Sequence, residues 1–164
     1  MGHSRAAFER DLAQIQDEVV RMGGMVDDAV RRSAEALTYR DVGLAQQIVS
    51  DDQKVNDLRY AIEEASLQVI ATQQPVAIDL RRIIGAMHMV GELERMADHA
   101  EGIARIVIRT AHEPLMLLPA DLPRMVTVAR EMLQSALHAF ATRDVDAARA
   151  VVSRDDEMDC LHGQ

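Results

Sequence analysis

Residues 36–58, ALTYRDVGLAQQIVSDDQKVNDL, align without a gap onto residues 139–161, AFATRDVDAARAVVSRDDEMDCL, at an offset of 103. Ala36, Arg40, Asp41, Val42, Ala45, Val49, Ser50, Asp52 and Leu58 meet identical residues, nine in 23 positions, and Met22 meets Met125 upstream. Similar helix–turn–helix elements can converge on similar residues. Identities that include the turn Arg-Asp-Val speak instead for one supersecondary unit used twice, and a unit of that size buries its apolar face only against neighbours.

The unit is helical. Phe8, Leu12, Ile15, Val19, Met22, Val26, Ala29, Ser33 and Ala36 recur at alternating spacings of four and three, the seam of a helix in a bundle. Gly23 and Gly24 interrupt it and mark a weak turn or a close approach by a neighbour. Asp41 reads as the N-cap of a second helix with the stripe Leu44, Ile48, Asp51, Val55, Leu58, Ile62, Ala65, Val69. Pro75 ends it and suits the first turn of a third, whose stripe is Ile83, Met87, Val90, Leu93, Ala97, Ala100, Ala104, Val107. Three such antiparallel helices can bury their stripes against one another. HEPLMLLPAD, 112–121, reads as a linker ending in a cap at Asp121. A fourth helix follows through Met125, Val128, Met132, Ala136 and Ala139, and a fifth from Asp144. Aromatic residues are 2% of the chain, too few for a typical β-sandwich, and the ten Met can fill an irregular helical core.

The fold class expected is therefore all-α: a three-helix bundle over 1–111, a linker at 112–120, and a partial second copy over 121–164. The counterpart of the third helix would begin near residue 180, so the second bundle lacks its last helix. An uncovered apolar seam invites association, and a homodimer or swapped assembly is expected, with helices four and five packed on another chain.

A net charge of −9 argues against a nucleic-acid binder and against adhesion to an anionic membrane. Cys160 is the only cysteine, which rules out an intrachain disulfide and fits a reducing compartment. The start shows no apolar signal region, and no uncharged run approaches the ~20 residues of a membrane span, so a cytoplasmic protein without membrane insertion is expected.

Oxygen-bearing pairs recur at i, i+4: Glu94 with Asp98, Asp52 with Asn56, and Asp155 with Asp159. Pairs on facing helices would make a carboxylate cluster whose members raise one another's pKa. A hard cation such as Mg, Mn, Ca or ferric Fe would relieve that strain, and Zn is a further candidate. The alternative is a wet face with local ion pairs, Glu101 with Arg105 and Asp98 with Arg95. Arg81, His88, Glu92, Arg95 and His99 fall on the far side of the third helix. The Glu-x-x-His pairs of carboxylate di-iron bundles are absent: His88, His99 and His138 follow Gly85, Met96 and Ser135 at i−3. No phosphate loop, GxSxG or HExxH occurs, so no catalytic site is expected.

PVAIDLRRIIGAMHMVGELERMADHAEGIAR, 75–105, resembles the signature region of the PhoU phosphate-transport regulatory family. Pro75, Val76, Ala77, Asp79, Leu80 and Arg81 match its first part, and Glu94, Arg95, Asp98 and His99 its second. The resemblance covers essentially the whole chain and implies two tandem three-helix bundles. It also implies metal at the acidic pairs, Glu94 with Asp98 and Asp155 with Asp159. Asp52 with Asn56 departs from the pattern, an amide replacing a carboxylate, and the missing sixth helix deprives Asp155 and Asp159 of a partner motif. The implied role is regulation, not catalysis: restraint of phosphate uptake through contact with the phosphate ABC transporter and its sensor histidine kinase. Arg81, Arg95 and His99 are the residues assigned to that contact. Two other readings of the residues stand beside it, a carboxylate-rich metalloprotein with metal-binding or redox chemistry, and a metal-free helical adaptor.

Overall fold

The computed structural model describes residues 5–114 and 117–162, and every regular element in them is helical. Three long helices, α1 (Arg5–Tyr39), α2 (Val42–Gln73) and α3 (Ile78–Arg109), pack on one another as a bundle. A shorter set, α4 (Leu122–Thr142), α5 (Val145–Val152) and α6 (Asp155–His162), is attached to it: α4 lies along α1, and α5 and α6 fold back on α4.

The α1 stripe is the one its spacing predicts, since Phe8, Leu12, Ile15, Val19, Met22, Val26, Ser33 and Ala36 are all buried. Phe8, Leu12, Ile15, Val19, Met22 and Val26 meet Val55, Leu58 and Ile62 of α2 and Ile83, Val90 and Leu93 of α3 in one core, and Ala36 packs in a second, smaller cluster with Ala45, Ile48, Ala104 and Val107. The helix runs straight through Gly23 and Gly24. A Cβ at Gly23 would fall 2.4 Å from both δ-carbons of Leu137 on α4, whereas at Gly24 it would meet nothing within 4 Å. Gly23 is thus the site of close approach, and there the missing side chain lets α4 sit down on α1.

The repeat is visible in backbone geometry. Arg40 ends α1 in the left-handed region at φ 54°, and Arg143 ends α4 at φ 58°. The next residue caps the following helix in both copies: Asp41 accepts from the Leu44 amide at 2.9 Å, and Asp144 from the Ala147 amide at 2.9 Å. The Asp41 and Asp144 amides in turn donate to the carbonyls of Ala36 and Ala139, each at 3.0 Å.

Several local expectations are corrected. Pro75 is not in the first turn of α3: α2 ends on Gln74 at φ 46°, and α3 starts only at Ile78. That start is anchored instead by Asp79, which receives Arg5 at 2.8 Å and Arg82 at 3.3 Å. Asp121 precedes α4, but its side chain makes no capping hydrogen bond. Of the expected α4 stripe Val128 and Ala139 are buried, but Leu133 and Leu137, rather than Met132 and Ala136, enter the core shared with α1. A seam assigned from spacing alone can rotate by one residue when a helix carries apolar residues on two faces, as α4 does. The fourth helix packs on α1 of its own chain, where the sequence expects another chain's surface.

The fifth helix is broken. It turns at Ser153–Arg154, where α2 is continuous through the equivalent Ser50 and Asp51. Arg154 reaches Glu131 on α4 at 2.8 Å and Glu157 at 3.3 Å. α2 is gripped by α1 and α3 together, while α5 and α6 rest on α4. Short helices without two packed neighbours have little to hold them continuous.

Candidate functional site

The packing of α2 on α3 brings the first two acidic pairs to one face. Asp52 and Asn56 project from α2, and Glu94, Asp98 and Glu101 from α3. Asn56 Nδ2 donates to Asp52 Oδ2 at 2.8 Å. Burial, then the negative charges of Glu101 and Asp98, push the Asp52 carboxyl above the ordinary aspartate range. The Asn56 amide works against that shift, and Glu94 adds a smaller push upward. Asp52 on α2 thus feels the carboxylates of α3 across the helix pair.

Arginines balance much of this charge. Arg59 Nη1 on α2 donates to Glu94 Oε1 on α3 at 2.7 Å, while its Nε holds Glu63 at 2.9 Å. Arg105 pairs with Glu101 at 2.5 Å, as the spacing predicts. Arg95, expected to reach Asp98, instead holds Glu92 at 2.9 and 3.1 Å. In this arrangement, no three of His, Cys, Asp and Glu among the described residues come together as a group that could hold a metal ion.

Asp155 and Asp159 do not join the cluster. Both lie exposed on α6, which packs on α4, and the cluster belongs to α2 and α3. Arg81, Arg95 and His99 are all exposed on α3, on the solvent side expected for them. The contact that spacing did not reveal is Arg59 to Glu94. Its local half, Arg59 with Glu63, is legible as an i, i+4 pair. Its other half depends on the register between two helices, the residues themselves being 35 apart in sequence.

A second feature shares none of these acidic residues. A groove of about 580 Å³ opens between the N-terminal halves of α1 and α3 and the α4–α5 corner, lined mainly by apolar side chains. Among the described residues, no helix is long and apolar enough to cross a membrane.

Comparison with known proteins places this architecture. The family model described as the PhoU domain matches residues 19–107 and again 122–164. The chain is 34% identical over 160 residues to a phosphate-specific transport system accessory protein PhoU homolog of Clostridium acetobutylicum, covering 97% of this chain and 73% of that one. It is 33% identical over 160 residues to the phosphate-specific transport system accessory protein PhoU of Escherichia coli, covering 96% of this chain and 65% of that protein. The crystal structure of PhoU from Pseudomonas aeruginosa superposes with a TM-score of 0.89 at 32% identity, over 95% of this chain and 75% of that one. With two matches of one domain model, relatives above 30% identity along nearly its whole length and the same helical path, the chain belongs to the PhoU family.

Proposed function

We propose that the chain regulates phosphate transport, restraining phosphate uptake and phosphate-starvation signalling through contact with the phosphate ABC transporter and its sensor histidine kinase in the cytoplasm. It is an accessory protein rather than an enzyme. The observation that carries the reading is the family match along both segments, 19–107 and 122–164, to proteins named accessory to phosphate-specific transport. The exposed Arg81, Arg95 and His99 on α3 support a contact surface there. Expression in a bacterium lacking its own homologue tests it. Uptake of radiolabelled phosphate and a starvation-promoter reporter should both fall when phosphate is plentiful. Soluble chain that leaves both unchanged would overturn the reading. Reversal of charge at Arg81 or Arg95 should weaken co-purification with the transporter or kinase.

A second reading adds a divalent or ferric ion at Asp52, Glu94 and Asp98, and the raised Asp52 pKa favours it. The donors are hard oxygens, which suit such an ion, but Arg59 would have to release Glu94 first. Asn56, whose amide now donates to Asp52, can offer its carbonyl oxygen only after turning. Elemental analysis of protein purified without chelator, with Asp98→Asn as control, separates this reading from a metal-free adaptor.

A further inference from the structure

The tip that joins α2 to α3 holds a backbone conformation its sequence does not favour. Ala77 sits at φ 49° and ψ −113°, and the Asp79 amide donates to the Val76 carbonyl at 3.2 Å. Ala77 thus has the geometry of the first central residue of a type II′ turn, where glycine is usual because a Cβ is crowded. Strained turns persist only where the surroundings over-determine them. Both ends of this one are tied down. Gln73 donates to Asp11 of α1 at 2.5 Å, and Asp79 receives Arg5 at 2.8 Å and Arg82 at 3.3 Å.

The turn holds two branched apolar side chains out in water. Val76 is 75% exposed and Ile78 71%, on either side of Ala77, which is exposed as well. Neither side chain adds to the core of the bundle. Ile78 continues along one face of α3 through Arg81 and the exposed Ile84, at spacings of three. Farther along, that face carries His88 and Arg95, at seven-residue steps from Arg81. Its carboxylate, Glu92, is held by Arg95. Arg81 is exposed and is engaged by no carboxylate among the described residues. A free cation beside an apolar knob stands out on a chain of net charge −9. It steers an acidic surface, rather than a basic one, to this end of the bundle.

We infer that this tip is the apolar anchor of the chain's contact with a protein partner, Val76 and Ile78 entering an apolar pocket whose rim carries carboxylates facing Arg81. A knob already fixed in shape loses little freedom on docking, and buried apolar anchors carry most of the energy of an interface. The inference rests on the reading of the chain as a regulator that works by protein contact.

The test measures binding of the full 164-residue chain to the purified phosphate ABC transporter in detergent and to the cytoplasmic part of the sensor kinase. Binding of the unaltered chain to at least one of them is expected. Val76→Ser combined with Ile78→Ser should weaken it about tenfold or more and leave the thermal unfolding midpoint unchanged, since both positions are exposed. Arg81→Gln should weaken it less and flatten its dependence on salt. Ala77→Gly, which the turn accepts, should bind as the unaltered chain does. Tyr39→Ser, at the far end of the bundle and 77% exposed, should have no effect. Binding that is indifferent to the Val76 and Ile78 changes would overturn the inference and leave the regulatory reading standing. No binding of the unaltered chain to either partner would remove that reading and the inference with it. Sedimentation with protein-free phosphatidylglycerol vesicles that the same two changes abolish would assign the tip to a membrane surface and overturn the inference too.

Discussion

Asp27 on α1 and Arg130 on α4 occupy equivalent positions of the two repeats, 103 residues apart, and face each other through a fork of two hydrogen bonds, Nε to Oδ1 and Nη2 to Oδ2, both 2.8 Å. On two antiparallel helices that repeat one another, equivalent positions meet only near the local pseudo-twofold axis at the middle of the contact. Along the same antiparallel contact, Gln16 donates to the Ala141 carbonyl on one side of the pair. The two copies must differ at this point, since identical charges would repel across the axis. A bidentate, charge-assisted pair is geometrically specific.

Loss of that pair should loosen α4 from α1. Hydrogen bonds to charged groups contribute about 1.5–3 kcal/mol, and this pair is largely shielded from solvent. Asp27→Ala is expected to lower unfolding stability by about 1–2 kcal/mol in urea titration. Asp27→Arg should cost more, because it sets two guanidinium groups face to face. The double exchange Asp27→Arg with Arg130→Asp should recover a substantial part of the loss. No recovery would show that the pair's geometry does not set the repeat-to-repeat contact.

Gly23 and Gly24 are adjacent in sequence and opposite in consequence. Gly24→Ala meets open space, so the helix-propensity gain of about 0.5–1 kcal/mol should appear as a higher denaturation midpoint. Gly23→Ala carries the same propensity gain but drives a methyl group into Leu137, and overpacking costs about 1–3 kcal/mol. It should be neutral or destabilising. Combining it with Leu137→Ala should give a smaller loss than the two single changes added together. Equal stabilisation by both glycine substitutions would remove the close approach as the reason for Gly23.

Much of the fold is legible in the residues, and the misses share one cause. The α1 stripe and the Arg-Asp-Val turn with its caps all follow from short-range spacing, which a chain carries in plain form. What depends on register between helices does not. Leu133 and Leu137 replaced Met132 and Ala136 because the neighbour decided which of two apolar faces turned inward. The break at Ser153–Arg154 follows from having neighbours on one side only, a fact of tertiary structure. At the acidic face, the i, i+4 pairs were visible, and so was the Asp52 cluster in outline. The Arg59 bridge to Glu94, which sets the charge balance there, was hidden in the α2–α3 register.

Asp52 should make the molecule's stability respond to pH in a sense opposite to that of Asp27 and Asp51. Its folded pKa lies above the ordinary value of 3.8, because burial and the α3 carboxylates disfavour the charged form. Between the unfolded and folded values the folded state holds the extra proton, so this group's contribution falls as pH rises through the folded pKa. Asp27 and Asp51 are lowered, by Arg130 and by Lys54 respectively, and stabilise above 3.8, losing that effect as pH falls through their folded values. Asp52→Asn is therefore expected to raise the urea midpoint at pH 7. The gain should shrink as the pH is lowered toward 3.8. A gain that is constant with pH would mean that the charge of Asp52 is not the source of strain.

The two aspartate caps offer the same chemistry in two settings. Asp41 and Asp144 each accept one amide hydrogen bond at 2.9 Å, and removing such a cap costs about 1 kcal/mol. α2 buries Ala45, Ile48, Val55, Leu58, Ile62, Ser66 and Val69, so Asp41→Ala should lower global stability by that amount and leave α2 formed. α5 has eight residues and buries none, so its cap is a large share of what orders it. Asp144→Ala should therefore leave the unfolding midpoint nearly unchanged while amides 148–152 exchange with solvent markedly faster, which native-state hydrogen exchange reads residue by residue. Equal global losses from the two substitutions would show that α5 unfolds only with the whole bundle, and would mean that the α4–α5 corner is held by more than its cap and its rest on α4.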